Sequence, residues 1–341
     1  MLTICMSGLL FFLEQHNGKL KQIISRASNF FTKSPNHSLT LHLDKLVNLN
    51  LNNCKSLRIL PAGIFRLEFL KELDLWGCSK LKTLPEISSA GNIEVMYLNG
   101  TAIEELPSSI ECLSGLAALY LDHCKRLKSL PSSLCKLKSL NSIYLRWCSS
   151  LKSLPDELGN LEALNSLNAE GTAIREVPLS IVRLNNFDGL QNLTSLYLTD
   201  CGITELPENL GQLSLLLELY LEKNNFERIP ESIIHLSKLA YLKLSYCERL
   251  QSLPKLPCNL SELDAHHCTA LESSPGLVFP SRDPQYFDLR NDLKLDRNEI
   301  REILEDAQQK IQVMAIARWK QLQEKVCCVF YDPFNLYNVI E

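Results

Sequence analysis

Thirteen cysteines and seven histidines are the most chemically versatile residues of this 341-residue chain, so their spacing is the first question. His266-His267-Cys268 with Cys258 has the donor types of a zinc site, and Cys327-Cys328 offers thiols that could act as nucleophiles. Neither suggestion survives its context. Seven cysteines (Cys54, Cys78, Cys124, Cys148, Cys201, Cys247 and Cys268) recur at one place in a repeating frame, eight residues after its start. Thr101 and Thr172 take that place in two further copies, and Asn224 in another. What these side chains share is a small size and the ability to hydrogen-bond, which suits a buried structural ladder. Cys268 belongs to the ladder, and His266 and His267 stand at outward strand-end positions. No general base accompanies Cys327-Cys328, and no G-x-x-x-x-G-K-[ST] phosphate loop occurs. No catalytic, cofactor-binding or metal-binding residue is therefore expected.

The frame that positions the ladder reads L-x-x-L-x-L-x-x-C-x-x-L-x-x-L-P-x-x-L-x-x-L and is complete from Leu116 to Leu137. It restarts at Leu46, Leu70, Ile93, Leu116, Leu140, Leu164, Leu193, Leu216, Leu239 and Leu260, at intervals of 21 to 29 residues. Self-similarity at this period predicts a leucine-rich repeat solenoid, an α/β horseshoe with a parallel concave sheet. The alternating L-x-L predicts a strand, with Leu116, Leu119 and Leu121 pointing inward. Leu-Pro followed by apolar residues three apart predicts short 3₁₀ or helical convex turns, because proline ends a strand and presets φ. Two coils depart from the frame. That of Leu164 carries the extra material Asn185–Gln191, and that of Leu70 has Glu86–Asn92 in place of the full convex segment.

Three segments are expected. Residues 1–19 are an apolar remnant or cap, and residues 20–275 are about eleven repeats, the first degenerate with Leu20, Ile23, Phe31 and Pro35 in register. Residues 276–341 are a post-repeat segment with an amphipathic helix over about 297–325, capped by Asp296 and Glu299, and a truncated tail. Met1–Leu13 has the length of a signal-peptide core, but no Lys or Arg precedes it, and Glu14, Gln15 and His16 follow where small residues belong. No apolar run reaches the roughly 20 residues that span a bilayer. Cysteines placed one per coil, not paired, point to a reducing compartment, and a formal net charge of −4 disfavours a dedicated nucleic-acid binder.

Outward positions of the strands can be read directly. Their central column holds Tyr97, Tyr120, Tyr144, Tyr197 and Tyr220, with Trp76, Arg146 and Trp147 beside it. Tyr and Trp offer large contact areas at small entropic cost and recur at interaction hot spots, so these eight residues are the expected partner-binding set. The competing explanation is that stacked rings only stabilise the sheet by cross-strand pairing. Neighbouring positions carry more carboxylates (Glu72, Glu94, Asp122, Glu170, Glu218, Glu222, Glu262) than cations, while Lys55, Arg58, Lys80, Lys82, Lys125, Arg126, Lys128 and Lys152 line one lateral edge.

The text of the repeats resembles the leucine-rich repeat region of plant TIR–nucleotide-binding–leucine-rich-repeat resistance proteins. The segments that carry the resemblance are Lys45-Leu-Val-Asn-Leu-Asn-Leu-Asn-Asn-Cys54, Leu70-Lys-Glu-Leu-Asp-Leu-Trp-Gly-Cys78 and Leu98-Asn-Gly-Thr-Ala-Ile-Glu-Glu-Leu-Pro107, with Lys294-Leu-Asp-Arg-Asn298 beyond the repeats. The resemblance implies a non-enzymatic recognition module of innate immunity whose partner is a pathogen effector, a modified host protein or a receptor's nucleotide-binding domain. It implies a cytoplasmic or nuclear location and no small-molecule substrate. The family's phosphate loop and TIR domain are absent, so the chain reads as a truncated sensor. A generic intracellular repeat scaffold of the Ras-group type is the alternative, although its ladder would be mostly Asn.

Overall fold

The computed structural model describes residues 2–5, 46–60, 62–88, 91–182, 190–272 and 286–288. They form one parallel sheet whose strand order follows the chain. Its strands are β1 (Leu2–Cys5), β2 (Leu46–Asn50), β3 (Glu72–Asp74), β4 (Val95–Tyr97), β5 (Ala118–Tyr120) and β6 (Ser142–Tyr144). They continue as β7 (Ser166–Asn168), β8 (Ser195–Tyr197), β9 (Glu218–Tyr220), β10 (Tyr241–Lys243), β11 (Glu262–Asp264) and β12 (Tyr286–Asp288). This is the horseshoe solenoid expected from the repeat.

In each coil from β3 to β11 the middle strand residue is buried between two half-exposed neighbours. Leu116, Leu119 and Leu121 are all fully buried, as the alternation requires. Stacking places each leucine against its equivalents above and below, so one continuous core runs through the array. Removing one such side chain to Ala would cost about 2–5 kcal/mol.

On the convex side, 3₁₀ turns occur at Ala62–Arg66, Ser108–Cys112, Ser132–Lys136, Leu158–Asn160, Leu179–Ile181, Leu210–Gln212 and Glu231–His235. Pro107, Pro131, Pro178 and Pro230 stand immediately before four of them with φ of −64°, −70°, −58° and −59°. Each of these prolines accepts the first hydrogen bond of its turn on its carbonyl, as in Ile110 N–H to Pro107 O at 3.0 Å. A ring that cannot donate is well placed there, because only its acceptor is used. Between β3 and β4 the described residues contain no such turn, in agreement with the shortened text at Glu86. Ser109 of the next coil bridges the gap, donating to Glu86 and accepting from Ile87 N–H at 2.8 Å.

The ladder side chains hydrogen-bond to backbone carbonyls of the interior. Cys124, Cys148 and Cys247 donate Sγ–H to the carbonyls of Leu98, Leu121 and Leu221, one coil back, at 3.1, 3.1 and 3.2 Å. Thr101 and Thr172, with shorter side chains, reach only the carbonyls of their own coils, Leu98 and Ala169, both at 2.8 Å. Asn224 does more: its amide donates to Leu198 O and Leu221 O at 2.8 Å, and its oxygen accepts from Ile203 N–H at 2.9 Å. Burial pushes the Cys124 thiol up, the Cys148 thiol well up and Cys247 to about 12, so they remain protonated donors at neutral pH.

At the N-terminal side, the strand that pairs with β2 is Leu2–Cys5, with Thr3 beside Asn48 and Cys5 beside Asn50. The degenerate repeat expected from Leu20 lies outside the described residues, as does the helix expected over 297–325. At the other end β12 pairs with β11, so the sheet runs one strand beyond the expected limit at residue 275.

The ladder geometry predicts that Cys124→Ser keeps the protein within about 1 kcal/mol of its original stability, because a hydroxyl can replace the donor. Cys124→Leu should cost about 3 kcal/mol or more, by overpacking and by orphaning Leu98 O of one donor. Urea unfolding of the two variants decides this; equal stability would show that the thiol hydrogen bond contributes nothing.

Candidate partner-binding face

The sheet register aligns Tyr97, Tyr120 and Tyr144 on β4, β5 and β6. Their rings stack at centroid separations of 4.7 Å, nearly parallel between Tyr120 and Tyr144 at 2°. That separation equals the spacing of neighbouring strands, so the sheet itself imposes the stack. Asn168 on β7 interrupts the column, and Tyr197 and Tyr220 then form a second pair, edge to face at 4.8 Å. All five rings are half-buried. Stacked rings hide their faces from solvent and leave their edges and hydroxyls toward the concave side. Burial raises the hydroxyl pKa of Tyr97 and Tyr120, and burial followed by the hydrogen bond to Glu218 pushes Tyr197 up to about 12.

Both cations near the centre of the face are held by carboxylates. Arg146 reaches Asp122 Oδ2 through Nε at 3.0 Å and Nη2 at 2.8 Å, while its backbone N–H donates to Oδ1 at 2.9 Å. Asp122 is only 4% exposed, so this is a charge-assisted clamp between two coils more than a surface ion pair. Arg146, expected to meet a partner, is thus committed on one edge. Lys243 donates to Glu262 and lies 3.7 Å from Asp264; burial disfavours its charge, but the two carboxylates outweigh that and raise its pKa.

The indoles occupy different positions from the tyrosines. Trp76 follows its strand and is 53% exposed, its backbone N–H donating to Asp74 Oδ1 at 2.9 Å. Trp147 sits one residue later in its coil, at φ +59°, and is 40% exposed. A Cβ added at Gly171 would lie 2.3 Å from Trp147 Cε3, so the indole rests on the backbone of the next coil at the one residue type that leaves room.

This position, one before the ladder residue, is left-handed in every coil from Leu46 to Leu260. Asn53, His123, Trp147, Asp200, Lys223, Tyr246 and His267 have φ between 56° and 63°, and Gly77, Gly100 and Gly171 between 66° and 69°. The cause is a hydrogen bond: its N–H donates to the next coil, as in Trp147 to Glu170 O at 2.7 Å and Tyr246 to His266 O at 2.9 Å. Lys223, Trp147 and Tyr246 carry no sign of this in the sequence, whereas Gly77, Gly100, Gly171, Asn53 and Asp200 are residue types that adopt the conformation readily. Sequence also missed the cluster it creates at the far end, where Tyr246 stacks on His267 at 4.7 Å and meets His266 edge-on at 5.0 Å.

His266, Asp264 and Asp288 place ligand-type atoms within 4.8 Å of one another. His266 is already hydrogen-bonded to Asp264, and the Lys243 ammonium supplies positive charge beside it. Cys268 is separated from that chemistry, donating to Leu244 O at 3.3 Å within the ladder.

With this geometry in place, comparison with known proteins is informative. Residues 65–155 match the family described as "Disease resistance protein RPS4B-like, leucine-rich repeats", and residues 179–248 match "Leucine rich repeat". The disease resistance-like protein DSC1 of Arabidopsis thaliana is 39% identical over 282 residues, covering 81% of this chain and 19% of the relative. The TMV resistance protein N of Nicotiana glutinosa is 40% identical over 248 residues, covering 65% of this chain and 22% of the relative. The chain is a leucine-rich repeat region of the kind found in plant disease resistance proteins. It spans about a fifth of the length of those relatives. A chain of the Toll–Spätzle complex of Drosophila aligns with a TM-score of 0.60 at 20% identity, covering 73% of this chain and 36% of that one, which supports the fold alone.

The packing of Trp147 on Gly171 predicts that Gly171→Ala destabilises the protein by about 1–2 kcal/mol through the left-handed backbone, and more through the displaced indole. In the double variant with Trp147→Ala the second loss should vanish and the first remain. Strict additivity in a double-mutant cycle would show that the two residues do not touch.

Proposed function

We propose that this repeat region is a non-enzymatic recognition module of plant innate immunity that holds a protein partner on its concave face. The observation that carries it is the tyrosine column: five half-buried rings in register, with two exposed indoles beside them. Aromatic edges combined with hydrogen-bonding groups on a rigid sheet are the ingredients of protein-binding hot spots. The partner is a pathogen effector, a modified host protein or a nucleotide-binding domain of a receptor. Free, buried ladder thiols fit a reducing compartment, the cytoplasm or the nucleus, and among the described residues no helix is long and apolar enough to cross a membrane. Both family matches are to leucine-rich repeats, and no cofactor or small-molecule chemistry is assigned.

The stacking itself is worth something to the sheet, about 0.5–1.5 kcal/mol for each ring pair. Binding and stability therefore separate by magnitude. Replacing Tyr120 and Tyr144 by Ala should lower stability by a few kcal/mol at most, leaving the chain folded by circular dichroism, and should abolish co-purification of partners from infected plant tissue. Retained co-purification by the folded double variant would assign the rings to the sheet alone.

A further inference from the structure

Several cations of the array pair with a carboxylate one coil away: Lys71 with Glu94, Lys136 with Glu111, Lys138 with Glu162, Arg228 with Glu208 and Arg249 with Glu227. The lateral rim that follows the left-handed position gathers unpaired cations over the N-terminal coils. Lys55, Arg58, Lys80, Lys125 and Lys152 are all exposed there, and none forms an ion pair with another described residue. Only Glu104 answers them, and it is taken by Arg126 at 3.1 Å and Lys128 at 2.8 Å. Excess positive charge is thus concentrated on one edge of a chain whose net charge is −4.

Trp147 stands at the left-handed position that opens this rim, and Trp76 one place earlier in its coil, in the column of Arg146. Trp76 and Trp147 belong to coils three apart, about 14 Å at the usual strand spacing. Trp147 occupies a left-handed position that Gly77, Gly100 and Gly171 fill without strain in other coils.

We propose that this rim, from Lys55 to Lys152 with Trp76 and Trp147, is a second docking surface that takes an acidic protein segment bearing large apolar side chains. The unpaired ammonium and guanidinium groups receive the carboxylates, and the indoles receive the apolar groups. The proposal rests on the concave tyrosine face being a protein-binding surface and adds a contact beside it, so that a partner grips the edge as well as the hollow. A nucleic acid fits less well. Glu104 interrupts the cationic track in its middle, and indoles about 14 Å apart cannot stack on successive bases, which rise about 3.4 Å along a strand. Trp147 moreover has one face closed by Gly171.

The test uses the full chain and a fluorescein-labelled peptide alternating Asp or Glu with Phe and Leu, read by anisotropy. Binding should weaken about five- to tenfold in Lys80→Glu/Lys125→Glu and again in Trp147→Gly, a variant whose new residue suits the backbone and so cannot be dismissed as unfolded. The control Lys238→Glu/Lys255→Glu, with the same change of net charge elsewhere, should bind as the parent does, and the peptide with Lys in place of Asp and Glu should not bind. Loss of binding equal to the control's, or none at all, overturns the proposal. So does displacement of the peptide by a single-stranded oligonucleotide that binds more tightly and shows the same dependence on Trp147. If the rim variants leave a co-purified partner in place while Tyr120→Ala/Tyr144→Ala releases it, the rim assignment falls and the concave face stands; the reverse pattern removes the face and keeps the rim.

Discussion

Everything in this solenoid depends on how the chain leaves each strand. The carbonyl of the residue after the strand points into the interior, where it must find donors. It finds one in the backbone of its own ladder residue, as Leu121 O does with Cys124 N–H at 3.1 Å. It finds a second in the ladder side chain of the following coil, as Leu121 O does with Cys148 Sγ at 3.1 Å. The residue between must then turn left-handed to send its own N–H sideways to the next coil. One bend thus satisfies an inward acceptor, joins neighbouring coils and drops the ladder side chain into the core.

Because one bend serves all three purposes, the ladder side chain is constrained by reach as much as by polarity. A thiol is a weak donor, but its long C–S bond carries it one coil back, which the hydroxyls of Thr101 and Thr172 do not manage. Where Thr101 stands, the next coil compensates: Leu98 O accepts from Thr101 Oγ1 at 2.8 Å and from Cys124 Sγ at 3.1 Å. The ladder is therefore cooperative between neighbours. A substitution is felt by the coil before it, consistent with a quasi-one-dimensional array in which stability resides in interfaces.

What could be read from the residues follows the same division. Strands, inward leucines, ladder and Leu-Pro turns were legible because burial at fixed intervals writes itself into the period. The tyrosine column was legible as a column, since outward positions follow from inward ones. Its geometry was not: nothing in the text distinguishes the parallel stack at Tyr120 and Tyr144 from the crossed pair at Tyr197 and Tyr220. Nor was the clamp of Arg146 on Asp122, because residues in adjacent columns of neighbouring coils can pair or point apart with equal ease. The left-handed column escaped for a deeper reason. It is imposed by a hydrogen bond to another coil, which overrides local preference, so Trp147 and Tyr246 carry no local sign of it. Strand pairing across a long intervening stretch, Leu2–Cys5 beside β2, escaped because it has no period to follow.

This division also explains how such a scaffold can recognise something without risking its fold. Backbone groups and the ladder make the hydrogen bonds between coils, and the leucines make the core. Outward strand positions are left with little structural duty, and where they have one it is shared between two coils, as in Tyr197 with Glu218 or Thr199 with Glu222. Changing both partners together leaves the coil intact. The left-handed rim is the exception, since each non-glycine side chain there costs stability whatever it touches. A recognition surface can drift freely over the concave columns, whereas along the rim each large side chain adds strain that the hydrogen bond to the next coil must offset, as at Trp147 and Tyr246.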